Sequence, residues 1–325
     1  MKRSVFRTLY RKIDGSGIFK AWLCAMLVLA ALAFNVRAQD DEEEIIIDDV
    51  PLEIETLLFT IPVTVTDKTG RSITGLEKKN FSIYHEGEEQ PIELFLNSEA
   101  PMNVAILLDT SFSTRKVLDK IQDAARDFVK ILRPEDRAMI VGFDHRTTFF
   151  STLTADRKVL NNAIKRTAVS RVGGSDMHSA VLEVADRYFR ALKGRKAVIV
   201  LTDGMVVTDR GITAQKVLDT LQETDTFFYP IIFRTESNSY RRPDNKKPAT
   251  IEFLRILAEE TAGKYYEKDA TKLNEAFRAI AEELKKQYLL GFYPENTERK
   301  GGRQHIVVRV DQKGLIVQTK KRLEF

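Results

Sequence analysis

The middle of the chain, residues 101–286, is predicted to fold as a doubly wound α/β domain around a mostly parallel sheet. Two observations predict it. Uninterrupted apolar runs recur at 103–108, 139–143, 197–201 and 227–233, the pattern of strands buried on both faces. Segments of helical period lie between them, so strands and helices alternate.

The first of these strands ends at Asp109. Val117, Ile121, Ala124, Phe128 and Leu132 then recur at helical spacing, and Pro134 follows the helix. After the strand at 139–143, residues 147–152 suit a short edge strand. Helical stretches follow at 156–167 and 176–192. The strand at 197–201 runs into Asp203-Gly204. A helix at 213–223, the strand at 227–233, a helix at 250–261 and a short strand at 264–266 continue the alternation. The last helix carries Leu273, Phe277, Ile280 and Leu284. No internal repeat is present.

The flanks read differently. Phe59, Ile61, Val63 and Val65 fall on one face at period two, and Asp67-Lys68-Thr69-Gly70 supplies a turn. Phe81, Ile83 and the Glu86-Gly87 turn predict another hairpin. Residues 288–293, 306–310 and 315–319 are strand-like, the last two separated by the turn Asp311-Gln312-Lys313-Gly314. Neither flank shows a helix pattern, and each is too short to bury a core alone. The expectation is that 56–100 and 287–325 complete one another as a small all-β, immunoglobulin-like sandwich, with the α/β domain inserted between them.

Composition narrows the classes. The 325 residues, 43% hydrophobic and 30% charged, match a globular protein of about two domains. One cysteine, Cys24, excludes a disulfide framework and a four-cysteine zinc site. His85, His145, His178 and His305 lack the short spacing of a histidine metal site. The net charge of +4 is misleading, because residues 1–38 alone hold seven Lys/Arg and one Asp. The rest of the chain is slightly acidic, which removes the charge argument for nucleic-acid binding.

Residues 1–38 have the form of an export signal. Lys2, Arg3, Arg7, Arg11, Lys12 and Lys20 precede an uncharged run from 21 to 34, and Val36 and Ala38 suit cleavage before Gln39. That run is short of the roughly 20 residues needed to span a bilayer; an uncleaved anchor extended through Val36 is the alternative, and no other membrane contact is expected. A cleaved chain loses Trp22, its only tryptophan, and shows no tryptophan emission. The expected location is the periplasm or the cell exterior. Residues 39–55 hold nine Asp/Glu and no Lys/Arg, an acidic leader.

Ligands of doubly wound sheets bind beyond the carboxyl ends of the strands. Three polar groups fall there: Asp109-Thr110-Ser111-Phe112-Ser113, Gly173-Gly174-Ser175-Asp176 and Thr202-Asp203-Gly204. The alternation of 109, 111 and 113 lets an extended loop aim all three side chains one way. Two carboxylates and three hydroxyls are hard oxygen ligands. They suit Mg2+, with Mn2+ or Ca2+ as substitutes, and disfavour structural zinc. Two carboxylates about 4 Å apart repel by roughly 4 kcal/mol at an effective dielectric near 20, so a cation is needed to keep both ionised.

At this point a resemblance becomes specific. Residues 101–283 resemble a von Willebrand factor type A domain with a metal-ion-dependent adhesion site. Its signature is Asp-x-Ser-x-Ser after the first strand, a Thr in a second loop and an Asp in a third. Asp109, Ser111, Ser113 and Asp203 match, and Ser175 stands where the family usually has Thr. Ser175 keeps the hydroxyl but lacks the methyl that restrains the side chain. The flanks, through Pro62-Val63-Thr64-Val65-Thr66-Asp67, Gly75-Leu76, Asn80-Phe81 and Tyr288-Leu289-Leu290-Gly291-Phe292-Tyr293, are similar to those of bacterial secreted "VWFA-related" proteins. The resemblance implies an exported bacterial protein with a type A domain inserted in a β-sandwich and no known activity; the three-part motif without catalytic accompaniment points to a non-enzymatic binding module of the adhesion type. Its Mg2+ is held by Asp109, Ser111, Ser113, Ser175 and Asp203, and an exposed Asp or Glu of a partner protein completes the shell. It also implies mechanical coupling, because the last helix runs directly into 288–293.

Blander assignments stand beside these. Ser and Asp are common helix caps. Asp144 suits a cap or a contact behind the ligands. Asp176 and His178 suit either the rim of the site or an ordinary helix start, and Asp209 a cap. Arg241, Arg242, Lys246 and Lys247 suit a solvated loop, and Tyr265-Tyr266 an edge strand. No phosphate-binding loop and no Gly-x-Ser-x-Gly elbow is present. A triad of Asp109, a histidine (His145 or His178) and Ser175 has no local support. A metal hydrolase using Asp144 or His178 as base, and an assembly protein with an incidental metal, are the remaining alternatives.

Overall fold

The computed structural model describes residues 58–97, 99–205, 211–234, 249–294, 304–320 and 322–323. The expectations for residues 1–38 and 39–55, for Asp209 and for the basic loop around Arg241 fall outside these residues.

The central sheet forms from β5 (Met102–Asp109), β6 (Arg137–Phe143), β7 (Thr147–Phe149), β8 (Arg195–Thr202), β9 (Thr226–Arg234) and β10 (Tyr266–Asp269), in the order β10-β9-β8-β5-β6-β7. All neighbours are parallel except β6 and β7. Every residue of β5 and β8 is buried, the apolar middles as expected and the polar ends, among them Asn103, Asp109, Arg195 and Lys196, as well. Val104, Ile106 and Leu108 of β5 pack on one face with residues of α1 (Leu118–Ile131), α2 (Arg157–Lys165) and α6 (Leu273–Leu284). Ala105 and Leu107 pack on the other with α3 (Met177–Val184), α4 (Ala214–Glu223) and α5 (Ala249–Glu260). The result is the three-layer α/β/α arrangement predicted from the alternation.

Two local details differ from the sequence expectation. The helix predicted over 176–192 stops being α at Val184 and continues as a π turn, Ala185–Phe189. The wider turn adds a residue to the period, so Phe189 rather than Tyr188 takes the fully buried position. The strand predicted at 264–266 starts later, at Tyr266, because the chain must first turn tightly. Ala262 has φ 57°, and a Cβ on Gly263 would lie 2.1 Å from the Phe228 carbonyl oxygen. Gly263→Ala therefore forces the turn off β9. It is expected to cost roughly 3 kcal/mol, the cost of overpacking, read as a lower midpoint in thermal unfolding.

The flanking strands make two four-stranded sheets. One is β13-β1-β11-β4, built from β1 (Phe59–Thr66), β4 (Leu94–Leu96), β11 (Tyr288–Phe292) and β13 (Ile316–Thr319). The other is β14-β12-β2-β3, built from β2 (Phe81–His85), β3 (Glu88–Gln90), β12 (Gln304–Val310) and β14 (Arg322–Leu323). In both, strands from the two ends of the chain pair: β1 with β11, and β2 with β12. Ile61 and Val63 of β1, Ile83 of β2, Tyr288 and Leu290 of β11 and Ile306 of β12 share one apolar core. β4 and β14 went unrecognised in the sequence; each is too short for two-residue alternation to register. The first flank also holds a single 3-10 turn, Lys78–Asn80.

These sheets meet the α/β layers at the amino ends of its strands. Thr64 Oγ1 donates to Ala262 O (3.2 Å), and Gln318 Nε2 donates to Gly263 O (3.1 Å). The buried Lys320 ammonium reaches Asp225, just before β9, and Gln222 O (3.2 Å); Thr60 also donates to Asp225. The fully buried Arg195 reaches Ala100 O and the Leu284 carbonyl at the end of α6. Beside it, Tyr229 OH donates to Glu283 Oε1 (3.1 Å), and the buried Gln287 amide donates to Tyr229. The link between α6 and β11 is thus tied by hydrogen bonds into both parts. Among the described residues no helix is long and apolar enough to cross a membrane.

Candidate metal centre

β5, β6 and β8 are parallel and in register, so their carboxyl ends share one edge of the sheet. This edge is opposite the one that carries the β-sheets. Asp109 is the last residue of β5, fully buried, and its Oδ1 accepts from the Ser111 amide at 3.0 Å. Its Oδ2 accepts from Thr202 Oγ1, at the end of β8, at 2.8 Å. Asp203 follows Thr202 and is also buried, with Oδ1 accepting from the Met205 amide at 3.0 Å. Gly204, at φ 78°, makes the turn between them, and its amide donates to Thr202 Oγ1 (3.1 Å).

The loop after β5 is not extended as the alternation suggested. Phe112–Thr114 form a 3-10 turn after Ser111. The turn nevertheless brings Ser111 Oγ within 3.0 Å of Ser113 Oγ, so the two hydroxyls converge for a different reason.

Ser175 reaches the same edge through two backbone hydrogen bonds. Ser170 N donates to Thr110 O (2.8 Å), and Asp176 N donates to Asp144 O (2.6 Å), beyond the end of β6. Ser175 is 2% exposed, and its Oγ has no hydrogen-bond partner. A buried hydroxyl without a partner costs about 1–3 kcal/mol.

Burial, and then the charge of Asp203, push the Asp109 carboxyl up to about 7. The protein's own hydrogen bonds from Ser111 and Thr202 act the other way and do not offset it. Two buried carboxylates and an unpartnered buried hydroxyl on one edge fit a hard divalent cation by donor chemistry. Among the described residues no group of three or more His, Cys, Asp or Glu side chains is placed to hold a metal. The predicted set contains only two such residues and relies on hydroxyls for the rest.

The neighbouring candidates take structural duties. Asp176 caps α3, accepting from Ser179 N (3.1 Å) and Ser179 Oγ (2.6 Å). Asp144 accepts from Arg146 N (3.2 Å), lies 3.3 Å from Thr110 Oγ1 and pairs with His145 at 2.5 Å. His178 is buried, with Nδ1 3.2 Å from Ile212 O and its ring edge-on to Phe253. Of the Tyr265-Tyr266 pair, Tyr266 opens the edge strand β10 and Tyr265 precedes it. Thr202 was missed as a site residue. Its position between a buried strand and Asp203 was the available signal, since a hydroxyl there sits beside the carboxylate of the neighbouring strand.

Residues 104–205 match the von Willebrand factor type A domain family. No curated protein matches the chain. Among solved structures it is similar to an aerotolerance-related membrane protein from Bacteroides fragilis NCTC 9343 (TM-score 0.45, 20% identity, covering 56% of this chain and 98% of that one). It is similar to the vWF domain of the type V pili tip protein Mfa5 from Porphyromonas gingivalis (TM-score 0.44, 12% identity, 57% and 95%). It is also similar to proximal thread matrix protein 1 from the mussel byssus, with a zinc-occupied MIDAS motif (TM-score 0.48, 15% identity, 61% and 48%).

Proposed function

We propose that the chain is an exported protein-binding module. Asp109, Ser111, Ser113, Ser175 and Asp203 hold Mg2+, and an Asp or Glu of a partner protein completes the metal's shell. The observation that carries this reading is the buried pair Asp109 and Asp203 beside the unpartnered Ser175 hydroxyl, on the edge where a sheet of this topology binds ligands. The bound cation supplies an electrophile that accepts an outside carboxylate. The chain's own residues do the rest: burial keeps water from the carboxylates, while Thr202 and the Ser111 amide fix the rotamer of Asp109. Capture without turnover is favoured because Asp144 and His178, the best candidate bases, are each engaged in local hydrogen bonds. We read the paired β-sheets as an immunoglobulin-like sandwich split by residues 101–286, which presents the site at its far end.

The test is partner capture from envelope extract by the full chain, in Mg2+ and in EDTA, with Asp109→Ala as control. Capture in Mg2+ that is lost in EDTA and in the variant is expected. Capture unchanged by both ends the metal-bridged reading.

A further inference from the structure

The loops that carry the five candidate ligands also carry a rim of distinctive composition. Seven large apolar side chains are exposed among the described residues, and three belong to these loops: Phe112 (57%), Val172 (55%) and Met205 (48%). Each loop contributes one. Phe112 lies between Ser111 and Ser113, Val172 three residues before Ser175, and Met205 two residues after Asp203. Hydrogen bonds tie all three loops to the end of β5: Thr202 to Asp109, Ser170 N to Thr110 O, and Val172 N to Ser170 Oγ (3.2 Å). The other four exposed apolar residues lie apart from one another, Val159 on α2, Ile256 on α5, Tyr293 just after β11 and Ile316 on β13.

Charge is sorted in the same place. In residues 109–117, 144–147, 167–176 and 202–205, Asp109, Asp144, Asp176 and Asp203 are buried, whereas Arg115, Lys116, Arg146 and Arg171 are exposed. Among the described residues of these stretches, every exposed charged side chain is basic, although the chain beyond residue 38 is slightly acidic. Arg115 lies over the Phe112 ring, 5.2 Å from its centroid, so apolar and cationic surface are contiguous there.

A metal alone accepts any carboxylate. A basic, apolar rim selects among them: the exposed arginines favour an anionic partner at long range, and the apolar side chains supply contact area that charge cannot. Resting on the metal-bridged reading, we propose that the partner of this surface is an acidic protein segment in which aliphatic side chains flank the carboxylate that enters the site. The carboxylate meets the cation, the aliphatic neighbours cover Phe112, Val172 and Met205, and further acidic residues face the arginines. Nucleic acid fits less well, since its backbone brings no aliphatic groups and, among the described residues of these loops, Phe112 is the one exposed phenyl, tyrosyl or indole ring for stacking.

The experiment uses the full chain and two fluorescein-labelled peptides, Ile-Glu-Ile-Asp-Ile and Ser-Glu-Ser-Asp-Ser, read by anisotropy in Mg2+ and in EDTA. The first peptide is expected to bind in Mg2+ on the order of tenfold more tightly than the second. The triple variant Phe112→Ser, Val172→Ser, Met205→Ser is expected to remove that preference. It should keep the rise in thermal midpoint that Mg2+ gives, which verifies its fold and its metal site. Equal, EDTA-sensitive binding of both peptides, unchanged in the triple variant, overturns the rim proposal and leaves the metal-bridged reading intact. A preference for the first peptide that survives EDTA and Asp109→Ala does the reverse. Failure of both peptides to bind, with binding to anionic lipid vesicles instead, overturns the acidic-segment partner.

Discussion

Metal-free protein is expected to lose stability as the pH rises from about 4 to about 7, and Mg2+ is expected to abolish that loss. Asp109 is the cause. Its carboxyl, near 3.8 when exposed, is pushed up to about 7 in the fold by burial and then by Asp203. Below about pH 4 the group is protonated in both folded and unfolded chains and contributes no difference. Between the two values the unfolded chain gives up its proton while the folded chain retains it. The unfolded state then binds fewer protons, so unfolding becomes easier as pH rises. At about 1.36 kcal/mol per unit, the loss is bounded at roughly 4 kcal/mol and is complete above pH 7. A bound cation stabilises both carboxylates in their ionised form, so the penalty disappears in Mg2+. At a hundredfold excess over its dissociation constant, Mg2+ adds about 2.7 kcal/mol by mass action. Thermal unfolding between pH 4 and 8, in EDTA and in Mg2+, reads both effects. Asp109→Asn is expected to flatten the metal-free profile and to remove the Mg2+ response. A metal-free profile that is flat in the wild type, or a variant that still responds to Mg2+, contradicts the assignment.

Asp225→Asn is expected to be the most damaging substitution where the β-sheets meet the α/β layers. Asp225 pairs with Lys320, whose side chain is 4% exposed, and accepts from Thr60. It also adopts φ 51°, a backbone conformation that Asn tolerates as well as Asp. The substitution therefore removes charge without adding backbone strain. It leaves a buried ammonium with the Gln222 carbonyl and no carboxylate opposite. Breaking one side of a buried ion pair costs about 3–5 kcal/mol. Chemical denaturation measures this directly. Lys320→Met in the same background should restore much of the loss, because the orphaned charge is gone and the apolar stem remains. Failure of that rescue shows that the damage comes from something other than the stranded charge.

The sequence carried the α/β architecture because its central strands are buried on both faces. The middles of β5, β8 and β9 are continuous apolar runs, with polar residues such as Asp109, Arg195 and Thr202 confined to the strand ends, and such runs stand out against helices of period 3.6. It carried the candidate ligands too, since Asp109, Ser111, Ser113, Ser175 and Asp203 are polar residues at strand ends, where apolar patterning breaks. It did not carry the way Ser111 and Ser113 converge, because a 3-10 turn and an extended loop are compatible with the same five residues. Nor did it carry the π turn at Ala185–Phe189, which depends on whether Tyr188 or Phe189 finds room in the core.

By itself, then, the sequence determined the long central strands and most helices and marked the candidate ligands, because burial and period are local properties of the chain. Only the tertiary structure decided that the flanks pair strand by strand, that Thr202 steadies Asp109 across two strands, and that Phe112, Val172 and Met205 are exposed on loops at one edge, with Arg115 over the Phe112 ring. Those facts depend on residues tens to hundreds of positions apart meeting in space, and distance along the chain says nothing of that until the sheet order is known.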